Sequence, residues 1–149
     1  MQLSKKNVIE IGAGTGFLSK QLIENGVIVT AIDSHIKGQS DYGFALYHTP
    51  ILHIDGIEYL KTYENIADCI ILSWPNYDND FAASILDNMQ SGQRLYYMGE
   101  REGGCTANDR FFHLLEQKAE KNYSLTEKLQ KHSLSWSCIH DDWYVFDIL

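Results

Sequence analysis

The sequence predicts an α/β protein in which short, mostly parallel strands alternate with amphipathic helices. Short runs rich in β-branched residues alternate with stretches of helical periodicity along most of the chain. A glycine-rich turn joins the first of these runs to the first helical stretch. With 149 residues, of which 44% are hydrophobic, the chain has the size and apolar content of one domain, and we expect a single domain over residues 1–149.

The predicted strands are short apolar runs bounded by turn residues. Five of them are separated by helical or loop segments, so we expect them to lie parallel in one sheet with helices on both faces. These five strands are Val8–Ile11, Val27–Ile32, Ile51–Ile54, Cys69–Ser73 and Leu95–Met98.

Three segments between these strands have the spacing of helices with one apolar face. The first, residues 16–26, ends at Asn25 and Gly26, a pair that stops helices by adopting a left-handed conformation. The second, residues 79–92, starts behind a capping residue at Asn79 or Asp80. The third, residues 108–121, repeats the same apolar pattern.

The pattern changes after Asn122. Residues 123–136 and 143–149 have the composition of two strands, and the polar link 137–142 between them is too short for a parallel crossover. We therefore expect a C-terminal antiparallel hairpin. The complete expectation is a three-layer α/β sandwich with a mostly parallel, seven-stranded sheet.

Composition disfavours several classes of partner and location. The formal net charge of -8 repels nucleic-acid backbones, and the chain has no apolar run long enough to cross a membrane. Three widely spaced cysteines do not form a disulfide framework, and we expect them to be reduced. These observations favour a soluble, cytoplasmic protein without a nucleic-acid or membrane partner.

A glycine-rich turn follows the first predicted strand and has the pattern Glu10-x-Gly12-x-Gly14-x-Gly16. Glycines at a strand-to-helix turn allow a ligand to contact the backbone beside the positive end of the helix. Seventeen residues further on, Asp33 ends the second strand, where a carboxylate can accept both hydroxyls of a ribose. A nucleotide-like ligand therefore suits this turn. The alternative is that the glycines only shape the turn and that Asp33 and Asp55 cap helices.

The spacing of the glycines separates two ligand classes. A dinucleotide fingerprint G-x-G-x-x-G that starts at Gly12 requires glycine at position 17, where this chain has Phe17. The pattern E-x-G-x-G-x-G instead resembles the first motif of class I S-adenosylmethionine-dependent methyltransferases. The segment after the fifth strand and the C-terminal residues also resemble those of small bacterial methyltransferase-like proteins.

The resemblance implies a Rossmann-like fold, methyl transfer as the activity and S-adenosyl-L-methionine as the cofactor. In that family the glycine turn lies beside the methionine half of the cofactor, and an acidic residue at the position of Asp55 meets the adenine amino group. The implied cofactor-binding residues are Glu10, Gly12, Ala13, Gly14, Thr15, Gly16, Asp33, Ser34, Asp55, Gly56 and Ser73.

The fourth strand ends in Trp74-Pro75-Asn76-Tyr77, where many amino-group methyltransferases have Asn or Asp, two prolines and an aromatic residue. Indole only donates hydrogen bonds, so Trp74 cannot hold a target amine through a side-chain oxygen. Trp74 and Tyr77 can instead stack on an acceptor, and Ser73, Asn76 and Asp78 can form hydrogen bonds to it. After the fifth strand, Glu100 and Arg101 can face the acceptor. The alternative makes Trp74 a core or cofactor-packing residue and Pro75 a turn former, and it places Glu100 in a solvated loop.

Methyl transfer needs a base only when the nucleophile carries a proton, and Asp78, Glu100 and His140 are candidates. The charge favours a small-molecule or protein acceptor. Class I enzymes usually have helical segments before the first strand, whereas about seven residues precede it here. We expect the cover over the cofactor to be absent or supplied by a partner subunit in a homodimer.

Other functions are less favoured by the sequence. A catalytically silent Rossmann-like cofactor-binding or scaffolding subunit is the main alternative, and an NAD-linked oxidoreductase is a more distant one. The residues Cys105, His113, Cys138 and His140 lack the spacing of zinc ligands, and no metal is expected. The nucleophile elbow of hydrolases and the phosphate-binding P-loop are both absent.

Overall fold

The computed structural model describes residue 3 and residues 5–34, 47–63, 67–134 and 137–149. The chain forms two compact units, Met1–Ile70 and Ile71–Leu149. Strands and helices alternate through most of both units, so the predicted α/β class is confirmed.

The N-terminal unit is built on two parallel strands that pair residue by residue, from Asn7 with Ile28 to Ile11 with Ile32. Helix α1 packs on β2, and the side chains of Val8, Ile11 and Ile32 are almost completely buried. The elements are β1 (Asn7–Ile11), α1 (Phe17–Glu24), β2 (Ile28–Ile32) and α2 (Gly56–Thr62).

The C-terminal unit surrounds an antiparallel group of strands. The last strand, β6, pairs with β4 on one side and with β5 on the other, both antiparallel. Helix α3 packs against α4, and α5 packs against β6. The elements are β3 (Cys69–Ser73), which begins at the boundary of the units, then α3 (Phe81–Asn88), β4 (Arg94–Gly99), α4 (Asp109–Lys118), β5 (Ala119–Lys121), α5 (Tyr123–Gln130) and β6 (Asp142–Ile148).

Within the described ranges the sheet has six strands in the order β2-β1-β3-β4-β6-β5, and it is mixed. The prediction of seven mostly parallel strands is therefore wrong in number. The missing strand is Ile51–Ile54, of which only Leu52 forms a parallel bridge, with Ile32. This segment stays short because the amide of Ile54 bonds back to the carbonyl of Leu52, and Asp55 then caps α2.

The predicted hairpin is confirmed as an antiparallel C-terminal pair, but its first strand was assigned to the wrong residues. That strand is β5, Ala119–Lys121, which the sequence pattern had placed at the end of a helix. Most of the expected strand 123–136 is helix α5, and residues 135–136 lie outside the described part. The cause is Asn122, whose side chain accepts the Leu125 amide at 3.1 Å and starts a helix.

Helix α5 also completes the hydrogen bonding of β6 beyond the end of β5. The carbonyl of Val145 accepts the Asn122 amide at 2.8 Å, and the amide of Val145 donates to the Thr126 hydroxyl at 3.0 Å. The Thr126 side chain is 2% exposed. A threonine side chain therefore takes the place of a strand partner, which explains why a buried polar residue lies on this helix.

The described part of the chain contains no helix with the length and apolarity of a membrane span. Its longest helix is α4 with 10 residues, whereas a bilayer requires roughly 20.

The Thr126 hydroxyl should be a significant source of stability. We expect Thr126→Val, which keeps the shape but leaves the Val145 amide unpaired, to lower the free energy of unfolding by about 1–3 kcal/mol in urea titrations. Thr126→Ser keeps the oxygen and serves as the control. Hydrogen exchange at the Val145 amide should accelerate only in the valine variant, and equal protection in both variants would contradict this role.

Candidate functional site

Three glycines shape the turn after β1, and all have left-handed φ angles: 77° at Gly12, 55° at Gly14 and 75° at Gly16. Residues other than glycine rarely adopt these angles, so the backbone conformation of the turn explains why the sequence has glycine at these three positions. The amides of Gly12 and Ala13 both donate to the carbonyl of Ile32 at 2.9 Å. The turn is therefore fixed to the end of β2.

The structure brings Asp33 to the glycine turn. The Gly14 amide donates to Asp33 Oδ2 at 2.8 Å, and the Asp33 amide donates to the carbonyl of Leu52 at 3.1 Å. The carboxylate thus lies beside the turn and faces it. A carboxylate in this position has the acceptor chemistry that ribose hydroxyls require.

The glycines of the turn differ in what surrounds them. A Cβ atom at Gly14 would have no atom within 4 Å, whereas a Cβ at Gly16 would lie 2.6 Å from Thr49 Cγ2 and 2.7 Å from Ile51 Cδ1. The backbone at Gly14 is therefore accessible to a ligand. Gly16 is required for packing, as the structural alternative predicts for it.

Glu10 is buried inside the N-terminal unit, with 4% of its surface exposed. Its Oε2 atom accepts a hydrogen bond of 2.5 Å from the Ser19 hydroxyl. Burial raises the pKa of the Glu10 carboxyl above its ordinary value, the bond from Ser19 opposes this, and the nearby Asp33 charge adds to it. Glu10 thus ties β1 to α1, and Ser19 is a partner that the motif does not indicate.

Asp55 has the capping role that the sequence left open. Its Oδ1 atom accepts the amides of Ile57 at 2.9 Å and Glu58 at 3.0 Å at the start of α2. Gly56, the first residue of α2, is buried, and Ser34 is exposed. The cap explains Asp55 structurally and leaves Oδ2 as the atom for any ligand contact.

The segment that precedes α2 attaches to the glycine turn, which the sequence did not predict. The carbonyl of Thr15 accepts the His48 amide at 2.8 Å, and the rings of His48 and Phe17 meet edge to face at 5.3 Å. Phe17 occupies the position where a dinucleotide fingerprint requires glycine, and 59% of its surface is exposed.

In the C-terminal unit, Ser73 ends β3 with a buried hydroxyl that has no hydrogen-bond partner among the described residues. A buried hydroxyl without a partner costs about 1–3 kcal/mol. Such an atom is a candidate contact for a polar ligand group or an ordered water.

Trp74 lies outside the core, with 55% of its surface exposed, so the core alternative is wrong. Its φ angle of 49° is left-handed, which is rare for a bulky residue and costs roughly 1–3 kcal/mol. Two bonds hold it: the Trp74 amide donates to the Met98 carbonyl at 2.8 Å, and the indole N–H donates to Asp141 Oδ2 at 2.7 Å. Asp141 is a partner that the sequence did not reveal.

The residues after Trp74 are joined to the segment before α4. Asn76 forms an antiparallel bridge with Thr106, and the Pro75 carbonyl accepts the Ala107 amide at 2.8 Å. Tyr77 is 59% exposed. Trp74 and Tyr77 are thus two exposed rings on a loop that is fixed by backbone bonds.

Glu100 is directed toward its own loop. Its amide donates to Thr106 Oγ1 at 2.7 Å, and its Oε2 atom accepts the Cys105 amide. It also lines a cavity of about 650 Å³ between residues 100–105 and 139–142, together with His140 and Asp141. The structure therefore brings together Glu100 and His140, two of the three candidate bases, and the residue that holds Trp74.

The described ranges contain no group of three His, Cys, Asp or Glu side chains placed to bind a metal ion. In these ranges Cys69 is buried, Cys105 and Cys138 are exposed, and none of the three forms a disulfide there.

No protein-family model matches the sequence, and no curated protein sequence matches it either. Solved structures do match. A SAM-dependent methyltransferase from Archaeoglobus fulgidus is 14% identical, with a TM-score of 0.59 over 97% of this chain and 86% of that one. An N-methyltransferase from Bradyrhizobium japonicum is 14% identical, with a TM-score of 0.59 over 98% and 89% of the two chains.

A third match is the Burkholderia thailandensis 1,6-didemethyltoxoflavin-N1-methyltransferase, which was solved with that substrate and S-adenosylhomocysteine. It is 12% identical, with a TM-score of 0.58 over 96% of this chain and 71% of that one. The chain has the class I methyltransferase fold. The Rossmann-like architecture that the sequence predicted is thereby confirmed, and the six-stranded mixed sheet is its form in this chain.

Within this methyltransferase fold, packing should require glycine at Gly16 more strongly than at Gly14. We expect Gly16→Ala to lower the free energy of unfolding by about 2–4 kcal/mol, because a left-handed alanine and an overpacked contact add their costs. Gly26 has a φ of 79° but open space around its Cβ position. Gly26→Ala is the matched control and should cost only about 1–2 kcal/mol; equal losses in urea titrations would contradict the packing role.

Glu10 should make stability depend on pH. Since burial raises its pKa in the folded state above the ordinary value of 4.5, the folded protein holds this proton at pH values where the unfolded chain has lost it. Its contribution to stability therefore falls as pH rises above 4.5 through the raised pKa. As the pH rises through this range, we expect the free energy of unfolding of Glu10→Gln to increase relative to that of the wild type. Urea unfolding at several pH values measures this difference.

The variant Glu24→Gln corrects for the change in net charge, because it removes an exposed carboxylate from the same unit. If the difference in unfolding free energy between Glu10→Gln and the wild type did not change with pH, the burial of an ionisable Glu10 would not have the assigned effect.

Proposed function

We propose that this chain is an S-adenosylmethionine-dependent methyltransferase whose N-terminal unit binds the cofactor through the glycine turn and Asp33. The fold supports the general function, since the solved structures that it resembles include SAM-dependent methyltransferases. The observation that carries the proposal is the 2.8 Å bond between the Gly14 amide and Asp33, which holds a carboxylate beside an accessible glycine backbone.

The residues of the N-terminal unit fit an adenosyl ligand by their chemistry. The Asp33 carboxylate would accept the two ribose hydroxyls, and the glycine turn, with its open backbone at Gly14, would lie along the methionine half. Asp55 would contact adenine through Oδ2, because Oδ1 caps α2.

When bound, S-adenosylmethionine supplies a methyl group on a sulfonium. The protein then has to hold the acceptor in line with the methyl group and to exclude competing water. Both tasks depend on how its residues position the reactants. Trp74 and Tyr77 present exposed rings for stacking, and Asn76 presents an amide. If the accepting atom carries a proton, Glu100 or His140 would remove it, since both line the 650 Å³ cavity.

The acceptor is proposed to be a small molecule or a protein side chain. Twenty acidic and twelve basic residues disfavour nucleic acid as the substrate. The exposed Phe17 at the position of the third dinucleotide glycine disfavours NAD as the cofactor.

Asp33 should determine the affinity for adenosyl ligands. We expect Asp33→Ala to weaken the binding of S-adenosylhomocysteine at least tenfold in isothermal titration calorimetry, or about 1.4 kcal/mol, because charge-assisted bonds to the ribose are lost. Asp33→Asn keeps an acceptor for the Gly14 amide, so it separates the loss of the ribose contacts from a displaced turn. Glu24→Ala removes an exposed carboxylate of the same unit and should bind normally.

Unchanged affinity in Asp33→Ala would show that the ribose is held elsewhere. A wild-type protein that binds NAD but no adenosyl ligand would overturn the proposed function, and tight binding without methyl transfer to any acceptor would favour a catalytically silent module.

A further inference from the structure

A second cavity in the C-terminal unit has a composition that the proposed cofactor site does not use. It measures about 260 Å³, slightly below the range of about 300–1,000 Å³ typical for drug-sized ligands, so it suits a compound with a single ring. Four aromatic side chains and two basic ones contribute to its lining: Tyr97, Phe112, Tyr144, Phe146, Arg101 and Lys121.

The aromatic walls are held in place by the fold. Tyr97 and Tyr144 are paired residues on β4 and β6, with ring centroids 6.1 Å apart. Phe112 on α4 meets the Tyr97 ring edge to face at 6.1 Å. Burial raises the pKa of Tyr97 to about 12, and its hydroxyl donates to the Glu100 carbonyl at 2.8 Å. Rigid, neutral rings of this kind are suited to a planar ligand.

The two cations at the cavity are not neutralised by ion pairs. The Arg101 guanidinium carbon lies 5.8 Å from the Tyr144 ring centroid and Lys121 Nζ lies 5.3 Å from it. Among the described residues neither side chain has a carboxylate within 4 Å, whereas Arg94 and Arg110 both form such pairs. In a chain with a net charge of -8, two cations beside one ring that form no salt bridge within the described ranges favour an anionic ligand.

The Tyr144 hydroxyl adds a donor to the same place. Tyr144 is only 6% exposed, and its hydroxyl oxygen accepts a bond of 3.1 Å from Arg101 Nε. The hydroxyl hydrogen has no acceptor in the part of the chain that the structure describes. A guanidinium has five N–H donors, so Arg101 retains its terminal nitrogens for a planar carboxylate.

Carboxylates near the cavity limit the charge of the ligand. Glu100 and Glu102 also line it, although Glu100 bonds to the Cys105 amide and Glu102 is exposed. Asp142 interacts electrostatically with Arg101. These negative charges would repel a polyphosphate and leave a single carboxylate as the suitable charge.

We propose that this cavity binds a small aromatic carboxylate, with the ring between the aromatic walls and the carboxylate on Arg101, Lys121 and the Tyr144 hydroxyl. Binding of this anion does not require the cofactor, so the site is independent of the proposed function.

The test is calorimetric or NMR titration of the full chain with benzoate, benzamide and benzylamine, which share a ring and differ in charge. We expect benzoate to bind at least tenfold more tightly than either of the others. Arg101→Gln and Lys121→Gln should each weaken benzoate binding about tenfold. The control is Lys128→Gln, which removes an equal charge from an exposed position on α5 that does not line the cavity. This variant should bind benzoate with the affinity of the wild type.

Equal affinity for benzoate and benzamide, tighter binding of benzylamine, or unchanged benzoate affinity in the folded double variant Arg101→Gln/Lys121→Gln would overturn the proposal. Circular dichroism checks that the variants fold. If benzoate binds as expected but S-adenosylhomocysteine does not, the carboxylate site stands and the methyltransferase proposal fails. The opposite result leaves the methyltransferase proposal and rejects this site.

Discussion

The hydrogen bond from the Gly14 amide to the Asp33 carboxylate is the interaction on which the N-terminal unit depends. It forms because β1 and β2 are parallel and in register, so that the glycine turn after β1 and Asp33 after β2 lie at the same end of the two strands. The left-handed glycines allow this turn, and the backbone at Gly14 is open. The arrangement places a negative charge beside bare backbone, which is the chemistry that a ribose and a polar tail require together.

In the C-terminal unit, a strained backbone at Trp74 and the pairing of β4 with β6 place aromatic side chains at the candidate sites. Trp74 adopts a left-handed conformation that its side chain disfavours, and bonds to Met98 and Asp141 hold it there with its ring exposed. Strain of this kind persists where the surroundings fix it, and it is frequent at functional sites. On β4 and β6 the register sets Tyr97 beside Tyr144, and Arg101 and Lys121 both lie within 6 Å of the Tyr144 ring centroid.

Local signals in the sequence predicted the features that neighbouring residues determine. The glycine spacing and the stop at Asn25 and Gly26 follow from backbone preferences, and the structure has them. The prediction of a strand over 123–136 was wrong because apolar periodicity in a short segment does not distinguish a strand from a helix. The side chain of Asn122 caps the first turn and thereby favours the helix. The bond between Trp74 and Asp141 spans 67 residues, so no local pattern could indicate it.

The claim that Asp33 and the glycine turn form an adenosyl site is tested most directly by a crystal structure of the protein with S-adenosylhomocysteine. The account predicts both ribose hydroxyls within hydrogen-bonding distance of the Asp33 carboxylate and the amino-acid portion of the ligand along Gly12 to Gly16. A ligand bound with its ribose away from Asp33, or in another part of the molecule, would contradict it.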